Sequence, residues 1–194
     1  MRQVRIFAYI SLDGVIQPPG DDDYANGGWM APYRSEAGAE AVADAHGEYF
    51  DLLLGRRTYD LWAGFWSKVK GGPFADALNA ATKYVVTHRP AGLEWGPVEA
   101  IGPDIAESVR RVKSKDGPDL IVSGSMTLTP VLFNQGLVDE VVLIVYPVFL
   151  GPGKRFFSDR LDPREFVLVN TKATPTSVLI HRYRHVGSLN RVLY

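Results

Sequence analysis

Apolar and polar positions along the chain alternate in blocks that predict strands and helices in turn. Residues 4–10 are rich in β-branched and aromatic side chains and predict a first strand. Ser11-Leu12-Asp13-Gly14 follows, where Asp and Gly predict a turn. Residues 17–28 hold two prolines, three successive aspartates and three glycines, the composition of an exposed loop. Over 35–49 the chain turns Ala- and Glu-rich, with Ala39, Val42, Ala43 and His46 at helical spacing, which predicts a first helix. The apolar run 50–54, closed by Gly55, predicts a buried strand passing directly into a helix over 58–62.

The alternation continues beyond that helix. A strand is expected over 84–87 and a helix over 104–113 with Ile105, Val109 and Val112 on one face. A strand over 120–122 then leads to a helix over 126–135. Such alternation indicates a largely parallel sheet with helices on its faces, a three-layer α/β/α fold. The ending differs, because 140–148, 166–171 and 177–183 read as strands without intervening helices. They predict antiparallel additions at one edge of the sheet. The apolar strand over 141–148, expected to be exposed at that edge, suggests a homodimer.

Composition narrows the partner. With 46% apolar and 22% charged residues, four Trp, nine Tyr and nine Phe, the chain belongs among folded globular proteins. Its 194 residues suit one domain, taken as 1–186, with 187–194 as a C-terminal tail. A formal net charge of -1 gives no global field for nucleic acid or an anionic membrane, which leaves a small molecule as the expected partner. Cysteine is absent, so disulfides, thiolate nucleophiles and thiolate metal sites are excluded, and no metal is expected. The N-terminal residues lack the apolar core of a signal peptide, and no apolar run approaches a membrane span, so a cytoplasmic protein is expected.

Ligands of open α/β sheets bind beyond the carboxyl ends of the strands, and three polar clusters stand there in this sequence. Gly55-Arg56-Arg57-Thr58 offers backbone donors at a helix start, two guanidinium groups and a hydroxyl, a set suited to a phosphate. The same residues also fit a solvated surface with Thr58 as a helix cap. Thr87-His88-Arg89 places a hydroxyl and a cation after another strand, with His88 read as a loop residue; a surface position for Arg89, ahead of Pro90, is the competing account. Ser123-Gly124-Ser125 joins a strand to a helix, where Gly allows close approach of a pyrophosphate or simply makes the turn. Three anion-suited turns at one end of one sheet match a dinucleotide carrying a pyrophosphate and a 2'-phosphate, so NADP(H) is the expected cofactor.

In their order, Ser11-Leu12-Asp13-Gly14, Gly28-Trp29, Gly55-Arg56-Arg57-Thr58, Val122-Ser123-Gly124-Ser125, Gly136-Leu137-Val138-Asp139-Glu140 and Pro147-Val148-Phe149-Leu150-Gly151-Pro152-Gly153 resemble the C-terminal reductase domain of the riboflavin-biosynthesis deaminase-reductase. That domain lies within the dihydrofolate-reductase-like superfamily. The resemblance spans nearly the whole chain and implies that Arg56, Arg57 and Thr58 hold cofactor phosphates. It further implies that Thr87 and Arg89 clasp the 2'-phosphate and that Gly124, Ser125 and Met126 face the pyrophosphate. Ala8 and Ile16 would line the nicotinamide pocket, Asp13 would serve a polar or proton-relaying role, and Trp29 would border the substrate. Asp13 also fits a plain Asp-Gly turn and Trp29 a core anchor.

The function implied is an NADPH-dependent reductase of the 5-amino-6-(5-phosphoribosylamino)uracil reductase type, acting on a small heterocyclic or carbonyl substrate. Dihydrofolate reductase and a non-catalytic NADP(H)-binding protein are the alternatives. The sequence departs from the family in three respects. It carries no deaminase half, it has Ser123-Gly124 where dihydrofolate reductases place a double glycine, and it offers only Glu36 and Glu40 as approximate counterparts of their pterin-binding acid. Asp21-Asp22-Asp23 would repel a substrate phosphate if it closed over the site.

Overall fold

The computed structural model describes residues 1–16, 26–157 and 161–189; Asp21-Asp22-Asp23 and residues 190–194 of the expected tail lie outside the described residues. In chain order the elements are β1 (Val4–Ser11), a 3-10 turn (Ala31–Tyr33), α1 (Glu36–His46), β2 (Phe50–Gly55), α2 (Arg56–Trp66), α3 (Pro73–Ala80) and β3 (Lys83–Val86). They continue with β4 (Val98–Ile101), α4 (Ile105–Ser114), β5 (Asp119–Ser123), α5 (Leu128–Asn134), β6 (Glu140–Tyr146), β7 (Arg164–Ala173) and β8 (Leu179–Ser188). The strands follow the order β4-β3-β2-β5-β1-β6-β8-β7. β2 pairs in parallel with β3 and β5, and β3 with β4, whereas β8 is antiparallel to both β6 and β7. This is the mixed, mostly parallel α/β sheet with antiparallel C-terminal edge strands that the pattern predicts.

The chain forms two compact units, Met1–Ile6 with His46–Asp139 and Phe7–Ala45 with Glu140–Tyr194. In the first, Leu52, Leu53 and Leu54 of β2, Val85 of β3 and Leu120, Ile121 and Val122 of β5 are fully buried, as expected for strands covered on both faces. Charged groups cluster at the amino ends of these strands. Arg2 donates to Asp51, whose other oxygen accepts the Thr82 backbone N–H at 2.8 Å. Lys83 is wholly buried; its Nζ donates to the Asn79 carbonyl at 2.7 Å and lies 4.3 Å from the centre of the Trp95 ring. Burial pulls the Lys83 pKa down to about 8, against the opposing pull of Asp51. These bonds tie the amino ends of the parallel strands together and leave their carboxyl ends to other chemistry.

In the second unit, β6 buries Val141, Val142 and Ile144. The exposed apolar edge expected over 141–148 is therefore overturned. β8 lies between β6 and β7 and pairs with both, and Arg182 on β8 binds Glu140 on β6 at 2.7 Å. The strand at that end of the order is β7. β8 runs to Ser188, so the first two residues of the expected tail are strand.

Two elements escape the sequence pattern. α3 is only eight residues long and starts at a proline after Gly71-Gly72, a context that reads as loop. β4 is four residues between Pro97 and Pro103, too short to show a period; its parallel register with β3, Lys83 opposite Val98 through Val86 opposite Ile101, makes it a strand. α2 also starts earlier than expected, which places Arg56 and Arg57 inside its first turn. Within α1, Ala41 and His46 are buried but Ala39 is exposed.

Candidate functional site

At the carboxyl ends of β2 and β3 the first unit holds a cleft of about 400 Å³, lined by Gly55, Arg56, Arg57, Val86, Thr87, His88 and Arg89 together with Pro103, Ile105, Thr127 and Leu128. Two of the three predicted clusters thus line one cavity. Gly55, the N-cap of α2, has extended backbone and no side chain caps the helix start. Gly55 thus offers no side-chain acceptor to the first-turn N–H groups of this eleven-residue helix, which begins with two arginines. A phosphate satisfies that donor set.

The arginines differ in what they are already doing. Arg56 donates from Nε to both oxygens of Asp60, at 2.8 and 3.1 Å, and from Nη1 to the carbonyls of Arg89 and Ala91, the latter at 2.9 Å. Its guanidinium latches the 89–91 segment to α2. The Thr87 hydroxyl is likewise turned inward, accepting the Arg89 backbone N–H at 2.9 Å and donating to the Arg89 carbonyl at 3.2 Å. It shapes the loop. The Arg89 side chain is exposed and makes no hydrogen bond or ion pair among the described residues. It is thus available to a ligand at the rim of the cleft.

The third cluster is joined to the first through Ser125. Its Oγ accepts the Gly55 N–H at 2.9 Å and lies 3.1 Å from the Thr58 hydroxyl, locking the β5–α5 turn to the start of α2. Gly124 and Ser125 both have left-handed backbone, with φ of 66° and 55°. The strand-to-helix turn that the pattern attributed to Gly124 alone thus also strains Ser125. Ser125→Ala should lose the bond and keep the strain, lowering stability by about 1–2 kcal/mol, whereas Ser125→Gly should cost less because it relieves the strain. Equal losses of the two variants in urea unfolding would contradict this assignment. Met126 is half-buried in the same turn.

Ala8, Asp13, Ile16 and Trp29 belong to the second unit. Ala8 is buried in β1, and the Ile16 N–H donates to the Lys154 carbonyl at 2.9 Å. Asp13 closes a dense set of bonds, accepting the Ser11 hydroxyl at 2.6 Å, the Leu150 N–H at 3.1 Å and the Gly151 N–H at 2.8 Å. Arg155 donates to the Asp13 carbonyl. The Ser11 hydrogen bond above all, helped by those of Leu150 and Gly151, holds the Asp13 pKa down to about 2 against the opposing effect of burial. At neutral pH the group is a carboxylate that accepts hydrogen bonds and holds no proton to donate. The structure thus places Asp13 as a clamp between its turn and the 148–155 segment.

Trp29 is buried with its ring edge-to-face on Tyr146 at 5.1 Å, and Tyr33 meets the same ring at 5.8 Å. Burial raises the pKa values of Tyr9 and Tyr146, so both phenols stay protonated at neutral pH and can donate. Sequence reasoning missed Tyr9, Tyr33 and Tyr146. The only available signal was the position of Tyr146 at a strand end before Pro147. It also missed Asp60, four residues from Arg56 on a helix and so placed to pair with it. Among the described residues no three His, Asp or Glu side chains gather in a way that would hold a metal ion. No helix among them is long and apolar enough to cross a membrane.

Known proteins share this architecture. The chain is similar to the Bacillus subtilis (strain 168) protein YyaP, itself uncharacterized, at 30% identity over 132 residues, which is 66% of this chain and 70% of YyaP. It is also similar to the uncharacterized YwjB of the same organism, at 26% identity over 94% of this chain and 98% of YwjB. Among solved structures, a candidate riboflavin biosynthesis protein from Shewanella sp. PV-4 aligns over 95% of this chain and 99% of its own, with TM-score 0.63 and 18% identity. A pyrimidine reductase-like protein from Corynebacterium diphtheriae aligns over 95% of this chain and 92% of its own, with TM-score 0.65 and 14% identity. At such identities these two structures establish the common fold. A profile of the RibD C-terminal domain matches residues 2–180, and the chain belongs to that family.

Proposed function

We propose that this chain is a cytoplasmic NADPH-dependent reductase of the riboflavin-reductase type, acting on a small heterocyclic substrate such as a pyrimidine, or on a small carbonyl compound. The observation that carries this reading is the cleft in which the uncapped start of α2 meets Arg57, His88 and Arg89. Its donor set is cationic and hydrogen-bonding, the chemistry that a dinucleotide with an extra phosphate requires. In this reading Arg89 holds the 2'-phosphate, and Arg57 and the α2 N–H groups hold the remaining phosphate charge. Arg56 and Thr87 keep the 87–91 loop in place, while Ser125 fixes the turn that carries Gly124 and Met126.

Bound NADPH supplies a hydride. The protein supplies position and exclusion of water. Tyr33 and Tyr146 present aromatic surface suited to a planar heterocycle, and the protonated phenols of Tyr9 and Tyr146 are hydrogen-bond donors for its oxygen or nitrogen atoms. Membership of the RibD C-terminal domain family supports a reductase-like enzyme.

The test is titration of purified protein with NADPH and NADH by ligand fluorescence, followed by a screen of pyrimidine, pterin and carbonyl acceptors for NADPH oxidation. Micromolar NADPH binding, weaker NADH binding and turnover of an acceptor are expected. Absence of NADPH binding would overturn the proposal, and binding without turnover of any acceptor would favour a non-catalytic NADP(H)-binding role.

A further inference from the structure

We propose that the Tyr146 hydroxyl is the proton donor of the reduction, passing its proton to the substrate oxygen or nitrogen as hydride reaches the adjoining carbon, with Arg34 as the positioning charge that steadies the phenolate left behind. The proposal rests on the reductase reading and adds to it the acid. Tyr146 ends β6, and its carbonyl accepts the Val148 N–H at 2.8 Å, which fixes the strand end. Its ring is held on two sides, edge-to-face on the buried Trp29 at 5.1 Å and on Tyr33 at 5.8 Å. The ring therefore has little freedom to turn. Its hydroxyl makes no hydrogen bond among the described residues, and the residue is only half-buried. A phenol with a fixed ring and an unused hydroxyl is a donor suited to a molecule that the chain itself does not supply.

Arg34 follows Tyr33 directly, and the turn that carries both is pinned. The Ala31 N–H donates to the Gly28 carbonyl at 2.8 Å, and the Thr176 hydroxyl donates to the Tyr33 carbonyl at 2.8 Å. The Arg34 side chain is exposed and makes no ion pair or hydrogen bond among the described residues. Its charge reaches the Tyr146 phenol and opposes the rise in pKa that burial causes. Tyr9 is the second phenol that acts on Tyr146; burial and Tyr146 both raise its pKa, and no cation among the described residues opposes them. Only the Tyr146 phenolate meets a compensating charge, so the acid role falls to Tyr146. The step balances. Hydride forms the new C–H bond, the π pair of the C=O or C=N bond moves to the heteroatom, and that atom takes the proton as the Tyr146 O–H bond breaks. Water then returns a proton to the phenolate.

Tyr146→Phe keeps the ring and its packing on Trp29 and Tyr33. With NADPH and the most rapidly reduced of the pyrimidine, pterin and carbonyl acceptors, it should lower kcat about 10²- to 10⁴-fold while the Kd for NADPH and the melting temperature stay unchanged. Arg34→Ala should lower kcat about tenfold or more, and Arg34→Lys, which keeps the charge, should recover most of that loss. A second readout needs neither cofactor nor acceptor. With 3-fluorotyrosine at position 146, whose fluorine makes the phenol more acidic, fluorine NMR follows its titration in the free protein. Arg34→Ala should move the midpoint to higher pH and Arg34→Lys should restore it, whereas an arginine with a merely structural role leaves the midpoint in place. A wild type that turns over while Tyr146→Phe stays within about threefold of it overturns this proposal alone, as does a midpoint that Arg34→Ala does not move. A wild type that reduces no acceptor overturns the reductase reading and the proposal with it.

Discussion

Replacing Arg89 by alanine should weaken NADPH binding roughly 10- to 150-fold while leaving NADH binding and thermal stability nearly unchanged. The range follows from about 1.5–3 kcal/mol for a hydrogen bond to a charged group, at about 1.4 kcal/mol per tenfold change. The selectivity follows from what Arg89 touches. Its side chain is exposed at the rim of the cleft and bonded to nothing among the described residues, so its removal costs the fold little. Only the 2'-phosphate distinguishes NADPH from NADH, and an arginine reserved for that group discriminates between them.

Arg56→Ala should behave differently. It removes the ion pair with Asp60 and the two bonds to the carbonyls of Arg89 and Ala91, so it should lower Tm by several degrees and weaken NADPH binding through displacement of Arg89. In a double-mutant cycle the two losses of affinity should be less than additive, because Arg56 acts through Arg89. Binding titrations and melting curves on the two single variants and the double variant make the comparison. Equal loss of NADPH and NADH affinity in Arg89→Ala, or full additivity, would refute the assignment of Arg89 to the 2'-phosphate and of Arg56 to its support.

Asp13→Ala should destabilise the fold by about 2–4 kcal/mol, because it leaves the N–H groups of Leu150 and Gly151 without their carboxylate acceptor and frees the Ser11 hydroxyl. For a chain of this length the expected fall in Tm is about 5–12 °C. The pH dependence has a definite sign. The folded pKa, about 2, lies below the ordinary value of 3.8, so the unfolded chain takes up a proton first. The stabilisation is fully present above about pH 4 and is lost as pH falls toward 2. The difference in unfolding free energy between wild type and Asp13→Ala should therefore shrink over that window and stay constant from pH 5 to 8. If this carboxyl instead relayed a proton during turnover, Asp13→Asn would abolish activity at unchanged stability and the wild-type rate would titrate near neutrality.

Local pattern determined a large part of this protein. The apolar run closed by Gly55, the alternation of strands and helices through 135 and the three strands without helices at the end define a mixed α/β sheet, because each element buries a face set by its own period. The polar turns after β2, β3 and β5 were legible because Gly55-Arg56-Arg57-Thr58, Thr87-His88-Arg89 and Ser123-Gly124-Ser125 each stand directly at the end of an apolar run. Tertiary structure decided what each of those side chains does. Arg56, Arg57 and Arg89 are alike in sequence, and only packing of α2 against the 87–91 segment ties one guanidinium to Asp60 and two carbonyls while leaving Arg89 open.

The same holds for Asp13 and the glycine- and proline-rich segment around Leu150, 137 residues away, whose connection no local rule contains. β4 exists because β3 offers it a register. The exposed edge moved from β6 to β7 because strand order depends on pairing energies summed over the whole sheet, to which hydrophobic periodicity is blind. Periodicity reports which face a residue buries, and position in three dimensions reports against what.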